Sequence, residues 1–151
     1  MSLALSVSVQ RRRQGPRRPA SVAGGFTLVE LMITVLVVAL LAAIAYPAYT
    51  RQVIKANRSA AQNFMMEVAS RQERFLLDAR GYTATLGAGG LNMNVPSDVS
   101  KTYQVTLVAD NNATPPVYTI VATPMPGTQQ QSDGALALDN FGTRTPPEKW
   151  Q

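Results

Sequence analysis

The sequence predicts an α+β chain in which one long N-terminal helix packs on a three- or four-stranded antiparallel sheet. Three observations predict this fold class. Residues 26–49 are almost entirely apolar, residues 50–80 contain neither glycine nor proline, and residues 103–145 alternate between β-rich segments and turns. A length of 151 residues leaves room for one modest domain beside the helix.

The composition narrows the classes of function. The chain contains no histidine and no cysteine, which removes the commonest general base, the commonest metal ligand and any disulfide. No spacing of Asp and Glu suggests paired carboxylates in a cleft, so a membrane-anchored enzyme is the weakest alternative. The sequence therefore predicts no catalytic residue, no metal site and no cofactor.

The net charge of +5 arises entirely within the first 25 residues. Five of the 14 Lys and Arg residues lie there without any Asp or Glu, and the remaining nine are balanced by nine carboxylates. A short arginine cluster before an apolar run is typical of a membrane-orienting flank, with a nucleic-acid-binding arm as the alternative. The formal charge of the remaining chain does not support nucleic-acid binding.

The first element, residues 26–49, has the length and composition of a membrane-spanning helix. As a helix it extends roughly 36 Å, which exceeds the hydrocarbon thickness of about 30 Å. Its sole charge is Glu30. A secretory signal cleaved at Ala43-Ile44-Ala45 and a plain anchor are alternatives, but both leave this glutamate unexplained. A twin-arginine export signal is disfavoured because polar and proline residues follow the arginines.

The stretch from Gly25 to Met32 reads GFTLVELM and precedes the apolar run. It resembles the class III signal of type IV prepilins. The resemblance implies that a prepilin peptidase removes residues 1–25 by cleaving between Gly25 and Phe26, and that Phe26 is then N-methylated. It also implies that Glu30 pairs with the N-terminal amine of a neighbouring subunit and sets the register of assembly. Pairing is physically coherent, because either charge alone is costly in an apolar setting.

The helix is predicted to continue beyond the apolar run to residue 80. Pro47 predicts a kink, since proline removes one helical hydrogen bond and clashes with the preceding turn. Residues 50–80 then show apolar positions at helical spacing on one stripe, and Gly81 predicts the stop. Residues 26–49 are accordingly expected to lie in the membrane or the filament core, and residues 50–80 to pack on a head domain.

The head domain is predicted over residues 81–151. Residues 81–101 are rich in glycine and are expected to form a surface loop. Because there is no cysteine, the region after Ala122 must be held by packing and hydrogen bonds. Trp150 either fills a gap in that region or lies in an exposed tail. The predicted strands are 103–108, 117–122, 135–139 and a short fourth at 143–145.

The order of these elements is similar to the pilin fold. The Ala-Thr-Pro-Pro sequence before a strand and the tryptophan near the C-terminus resemble PilE-like minor pilins. The resemblance implies a structural, minor subunit of a type IV pilus, which is inserted in the bacterial inner membrane and then assembled into an extracellular filament through its N-terminal helix. The implied partners are other pilin subunits, the prepilin peptidase, the inner-membrane assembly machinery and membrane lipid.

The resemblance leaves the role of the filament open. Twitching motility, adhesion and DNA uptake are all linked to such filaments, and the sequence does not choose among them. A pseudopilin of a type II secretion system is the alternative, because it shares the N-terminal motif and helix. The scattered carboxylates of the C-terminal region do not resemble the calcium site of major pseudopilins.

Overall fold

The computed structural model describes residues 25–150, so the predicted leader lies outside the described residues apart from Gly25. Within the described part, the expected α+β class is confirmed. The two helices are α1 (Leu28–Ala79) and α2 (Ser97–Ser100), and the four strands are β1 (Tyr103–Asp110), β2 (Val117–Pro124), β3 (Leu136–Asp139) and β4 (Arg144–Thr145). Two short 3₁₀ helices span Gln129–Asp133 and Pro147–Lys149.

The four strands form one antiparallel sheet in the order β1-β2-β3-β4. Leu107 lies opposite Ile120, which in turn lies opposite Leu138. These three apolar residues share one face because successive side chains of a strand point to opposite sides. The alternation of buried and exposed positions along β1 and β2 therefore directs one face of the sheet to the core.

The core forms between this face and the second half of α1. Ala61, Phe64, Met65 and Val68 of α1 are buried, at spacings of one, three and four residues that lie on one helical stripe. The strands contribute Tyr103, Leu107, Tyr118, Ile120, Ala122, Leu136 and Leu138 to the same cluster. The predicted packing of residues 50–80 against a sheet is thus observed.

The first half of α1 lies outside the core. Its large apolar side chains from Leu28 to Tyr49 are exposed, and none of its residues belongs to the core of the described chain. The contacts divide the chain into two compact units with the boundary between Val38 and Ala39. By length and composition α1 contains a segment able to cross a membrane, and that segment is entirely unburied.

The predicted surface loop over residues 81–101 is partly wrong. The segment contains α2, and it buries Tyr82, Leu91, Met93 and Val99 in the core. The glycines predict a loop, but the apolar side chains between them pack into the core. One glycine is required by close packing, since a Cβ on Gly90 would lie 2.0 Å from the carbonyl oxygen of Thr85.

Candidate functional site

The first turn of α1 holds the residues of the predicted processing and assembly site. Phe26 is 84% exposed. The Thr27 hydroxyl accepts a hydrogen bond from the backbone N–H of Glu30 at 3.2 Å, and the Thr27 carbonyl accepts one from Leu31 at 3.1 Å. Thr27 therefore caps the helix and Glu30 occupies its third position. A carboxylate there is also favoured by the helix dipole.

This arrangement places the Glu30 carboxylate in the first turn, where it favours the start of the helix besides any role between subunits. The Thr27 and Glu30 pair fits the Thr-x-x-Glu spacing that starts many helices. The helix therefore begins two residues after the predicted cleavage bond. Sequence reasoning identified Glu30 but overlooked Thr27, although the spacing alone could have found it. Cleavage, methylation and pairing with a neighbouring amine stay predictions.

Pro47 lies inside α1, and the helix continues on both sides of it. Proline has no backbone N–H, so it cannot donate to the carbonyl one turn earlier. The Thr50 hydroxyl donates to the carbonyl of Pro47 itself at 3.0 Å. The predicted kink stays a prediction.

A buried polar network joins α1 to the segment between β2 and β3. The Arg58 guanidinium donates to the Asp133 carboxylate at 3.0 Å, and the Tyr103 hydroxyl donates to the same carboxylate at 2.6 Å. Asp133 is 8% exposed and Tyr103 only 1%. Burial raises the pKa of the Tyr103 phenol well above its ordinary value, and the hydrogen bond to Asp133 acts in the same direction.

Gln130 extends this network to the backbone of α1. Its side-chain amide donates to the hydroxyl of Tyr103 at 2.7 Å and to the carbonyl of Ile54 at 3.2 Å. Its carbonyl oxygen accepts from the Asn57 amide at 3.2 Å. The region after Ala122 is therefore fastened to the helix by hydrogen bonds and an ion pair, as expected for a chain without cysteine. The individual residues were not predicted, because up to 76 residues separate the partners.

The C-terminal segment lies beside α1 and carries cations. The Gln62 amide of α1 donates to the carbonyl of Lys149 at 2.8 Å. Arg144 on β4 is exposed, and its guanidinium carbon lies 5.5 Å from the ring centroid of Trp150, within cation–π range. Trp150 is half-buried and packs against the core, between the two predicted alternatives.

The charges of the predicted mature chain are unevenly placed. Arg51 and Lys55 lie eleven and seven residues before Gln62, which places all three on one face of α1. Arg58 lies near the same face but is paired with Asp133. We call the four remaining cations near this face the basic side: Arg51, Lys55, Arg144 and Lys149. In sequence, Glu148 is the one carboxylate between Arg144 and Lys149. The Asp139 carboxylate also lies next to β4, since it accepts a hydrogen bond from the backbone N–H of Thr143 at 2.8 Å. Four further carboxylates of the head stand within four residues of Arg71, Arg74, Arg80 or Lys101 in sequence.

A second polar cluster lies at the C-terminal end of α1. The Tyr82 and Tyr118 rings meet edge to face with centroids 4.7 Å apart, and the Tyr82 hydroxyl donates to the Glu73 carboxylate at 3.4 Å. Burial raises the pKa of both phenols, and the Glu73 charge adds to the effect. The buried Gln72 bonds both backbone groups of Thr83. This cluster holds the start of the loop against the helix.

Within residues 25–150, no group of three or more acidic side chains is arranged to hold a metal ion. The polar clusters described above are satisfied mostly by one another and by the backbone. Their arrangement is that of a packed structural domain with a cationic side.

Two matches to protein families define the class of this chain. Residues 21–46 match the prokaryotic N-terminal methylation motif. This motif, the long helix and the antiparallel sheet together define a type IV pilin, so the predicted resemblance is confirmed.

Residues 47–136 match the family described as the type IV minor pilin ComP, DNA uptake sequence receptor. The chain belongs to this family. The expectation of a minor pilin is thereby confirmed.

Among solved structures, a type IV pilin from Shewanella oneidensis is 24% identical, with a TM-score of 0.47. The match covers 62% of this chain and 92% of the Shewanella chain. No curated protein matches the sequence.

Proposed function

We propose that the chain is processed between Gly25 and Phe26, held in the inner membrane by residues 26–49 and assembled into a pilus through the same segment. The exposed apolar half of α1 carries this proposal, because such a surface requires cover from lipid or other apolar helices. Its first turn places Glu30 four residues after the new amine at Phe26. The role is structural rather than catalytic.

The proposed pairing of Glu30 with a neighbouring amine would set the geometry of assembly. Moving an apolar helix from lipid to a helix bundle yields little hydrophobic gain, so packing and polar contacts must decide the arrangement. A subunit displaced along the filament axis would leave both charges unpaired in an apolar setting, which is costly. The ion pair therefore disfavours incorrect registers.

Replacing Glu30 with Gln tests this role while retaining the length of the side chain. We expect the variant to remain membrane-inserted and folded but to enter filaments poorly, as measured by the amount of subunit in sheared pili. Thr27→Ala is the matched control, since it weakens the same helix start without removing the carboxylate. Equal incorporation of wild-type and Glu30→Gln subunits would contradict the pairing.

Replacing Gly25 with a bulky residue tests processing separately. A large side chain at this position should block the peptidase, so the mature mass should be replaced by that of the full precursor. Mass spectrometry of membrane fractions distinguishes the two. An unchanged mature mass would place the cleavage elsewhere.

We further propose that the assembled subunit binds DNA through two residues of the basic side, Arg144 and Lys149. The description of the matched family as a DNA uptake sequence receptor supports this proposal. The neutrality of the predicted mature chain gives no support for nucleic-acid binding, but a sum of charges ignores where they lie. Protein cations bind DNA by displacing counterions locally, so a neutral chain with a basic side can do so.

Binding of the full-length chain in detergent to DNA fragments at several salt concentrations tests this surface. Arg144→Gln with Lys149→Gln should weaken binding and reduce the slope of log affinity against log salt by up to about 2. Arg71→Gln with Arg74→Gln removes the same charge beyond the basic side and should leave the slope unchanged. Equal losses from both double variants would refute this location. Comparing DNA from the source organism with unrelated DNA measures specificity.

The secretion pseudopilin is not favoured by these observations. The matched family is a pilus component, and the described residues contain no acidic group suited to a metal ion.

A further inference from the structure

Two exposed tyrosines and two cations mark the point where the apolar half of α1 ends. Tyr46 and Tyr49 are 65% and 70% exposed, and each presents an apolar ring with a polar tip. Arg51 and Lys55 follow on the exposed surface of the same helix. Tyrosine is enriched where a helix leaves a membrane, because its ring suits the headgroup region. Long basic side chains at such a point reach the headgroups.

The base of the head lies beside this same stretch of α1. A surface hollow is lined by Tyr46, Thr50 and Ile54 of the helix and by Gln129 and Ser132 of the first 3₁₀ helix. We call residues 125–133 the base segment.

The base segment presents no free negative charge. Its one carboxylate, Asp133, is 8% exposed and paired with Arg58. Its exposed side chains include Gln129, Gln131 and Ser132, all polar and uncharged. An anionic surface approaching from this side would therefore meet Arg51 and Lys55 without repulsion from the base segment.

We propose that the unassembled subunit rests its base segment on anionic phospholipid headgroups, held there by Arg51 and Lys55. This inference rests on the proposed insertion of residues 26–49 in the membrane. The headgroup phosphates belong to the leaflet from which the head emerges. The contact fixes the head against the membrane before assembly, and entry into a filament must break it.

Arg51 and Lys55 lie closer to the membrane end of α1 than the backbone of the C-terminal segment does. Arg51 lies about 3 Å and Lys55 about 9 Å beyond Tyr49 along the axis, at about 1.5 Å per residue. Gln62, which donates to the backbone carbonyl of Lys149, lies about 20 Å beyond Tyr49 by the same measure. Screening at physiological salt acts over about 8 Å, so Arg51 lies within range of the headgroups and Lys55 comes within range through its long, flexible side chain.

Single-cysteine labelling of the full chain in vesicles tests this contact, because the natural chain contains no cysteine. A fluorophore at Ser132→Cys reports on the base segment, and one at Ser70→Cys reports on an exposed position farther along α1. A quencher attached to lipid headgroups measures proximity. The vesicles contain phosphatidylcholine either alone or with about 30% phosphatidylglycerol, which gives the surface a negative charge like that of an anionic leaflet.

Phosphatidylglycerol should increase quenching at Ser132 and leave Ser70 unchanged. Each basic side chain near an anionic leaflet shifts the ratio of docked to undocked heads about fivefold, so two shift it about 25-fold. Arg51→Gln with Lys55→Gln should abolish the increase, as should high salt. Arg71→Gln with Arg74→Gln should retain it.

Two results would overturn the inference, and they differ in meaning. Equal quenching at Ser132 with and without phosphatidylglycerol, or an increase that survives Arg51→Gln with Lys55→Gln, refutes the headgroup contact alone. A chain that alkaline carbonate removes from the vesicles refutes the membrane insertion, and this inference with it.

Discussion

The two halves of α1 belong to one continuous helix but meet opposite surroundings. From residue 28 to 49, large apolar side chains are exposed, with Leu41 at 62% and Ile44 at 74%. In the second half, Ala61, Met65 and Val68 are fully buried under the sheet. One continuous helix is therefore stabilised by the sheet in its second half, whereas its first half must find other apolar partners.

The two halves of α1 differ in whether the chain itself can bury their apolar side chains. Each Val, Leu or Ile side chain gains about 1.5–3 kcal/mol when it is removed from water. The second half of α1 obtains this gain from its own sheet. The first half obtains it only from lipid or from other helices, so its state depends on processing and assembly.

Removing a buried side chain of the second half should have the largest effect. Met65→Ala should lower the free energy of unfolding of the head by about 2–5 kcal/mol, because it leaves a cavity between α1 and the sheet. Leu41→Ala, its counterpart in the first half, should change that value by less than about 0.5 kcal/mol. Urea unfolding of the full chain in mild detergent, followed by Trp150 fluorescence, measures both. Equal effects would remove the distinction between the halves.

The elements with strong local patterns could be predicted from the sequence. The apolar run, the stripe at helical spacing and the alternation around Val105 and Ile120 each determine a local structure that tertiary contacts do not override. Helix α1 spans Leu28–Ala79, against the predicted 26–80. β1 and β2 extend two residues beyond their predicted ends, and β3 and β4 each begin one residue later than predicted. The GFTLVELM stretch could be recognised because its residues are contiguous.

Features that depend on distant partners could not be predicted. Arg58 and Asp133 are 75 positions apart, and neither stands out in a charged, polar neighbourhood. The burial of Leu91 and Met93 depends on how the glycine-rich segment folds over the core. The basic side depends on the tertiary placement of β4 and the C-terminal segment. A net charge contains none of this information.

Breaking the buried ion pair should have the next largest effect on the head. Asp133→Asn leaves the Arg58 guanidinium without its counter-charge, which costs about 3–5 kcal/mol for a fully buried pair. The Arg58 side chain is 21% exposed and can be partly hydrated, so we expect about 2 kcal/mol.

The matched control for this pair is Asp98→Asn, an exposed carboxylate, which should cost less than about 0.5 kcal/mol. Urea unfolding compares the two. A loss below about 0.5 kcal/mol for Asp133→Asn would mean that apolar packing alone fastens the second half of α1.

Alkaline pH should weaken the head through Tyr103. Its pKa in the folded chain is raised by burial, whereas in the unfolded chain it takes its ordinary value near 10. The contribution to stability is therefore complete below about pH 10 and is lost as the pH rises toward the folded-state pKa. Between pH 9 and pH 11 the loss should be about 1.4 kcal/mol for this group.

Tyr103→Phe tests the assignment, since phenylalanine cannot ionise. The difference in unfolding free energy between wild type and this variant should shrink as the pH rises from 9 to 11. A constant difference would show that another group controls the alkaline loss, with Tyr118 as the next candidate because its pKa is also raised by burial.

The smallest effect is expected at Trp150. Its indole nitrogen is buried without a hydrogen-bond partner among the described residues, which costs about 1–3 kcal/mol. Trp150→Phe removes that cost together with some apolar contact, so the two changes should nearly cancel and leave the thermal midpoint within about 2 °C of wild type. Trp150→Ala loses the contact with the core entirely and should lower the midpoint clearly. If Phe were as damaging as Ala, the indole would have to contribute through a contact that the smaller ring does not keep, and the 5.5 Å cation–π contact with Arg144 is the candidate.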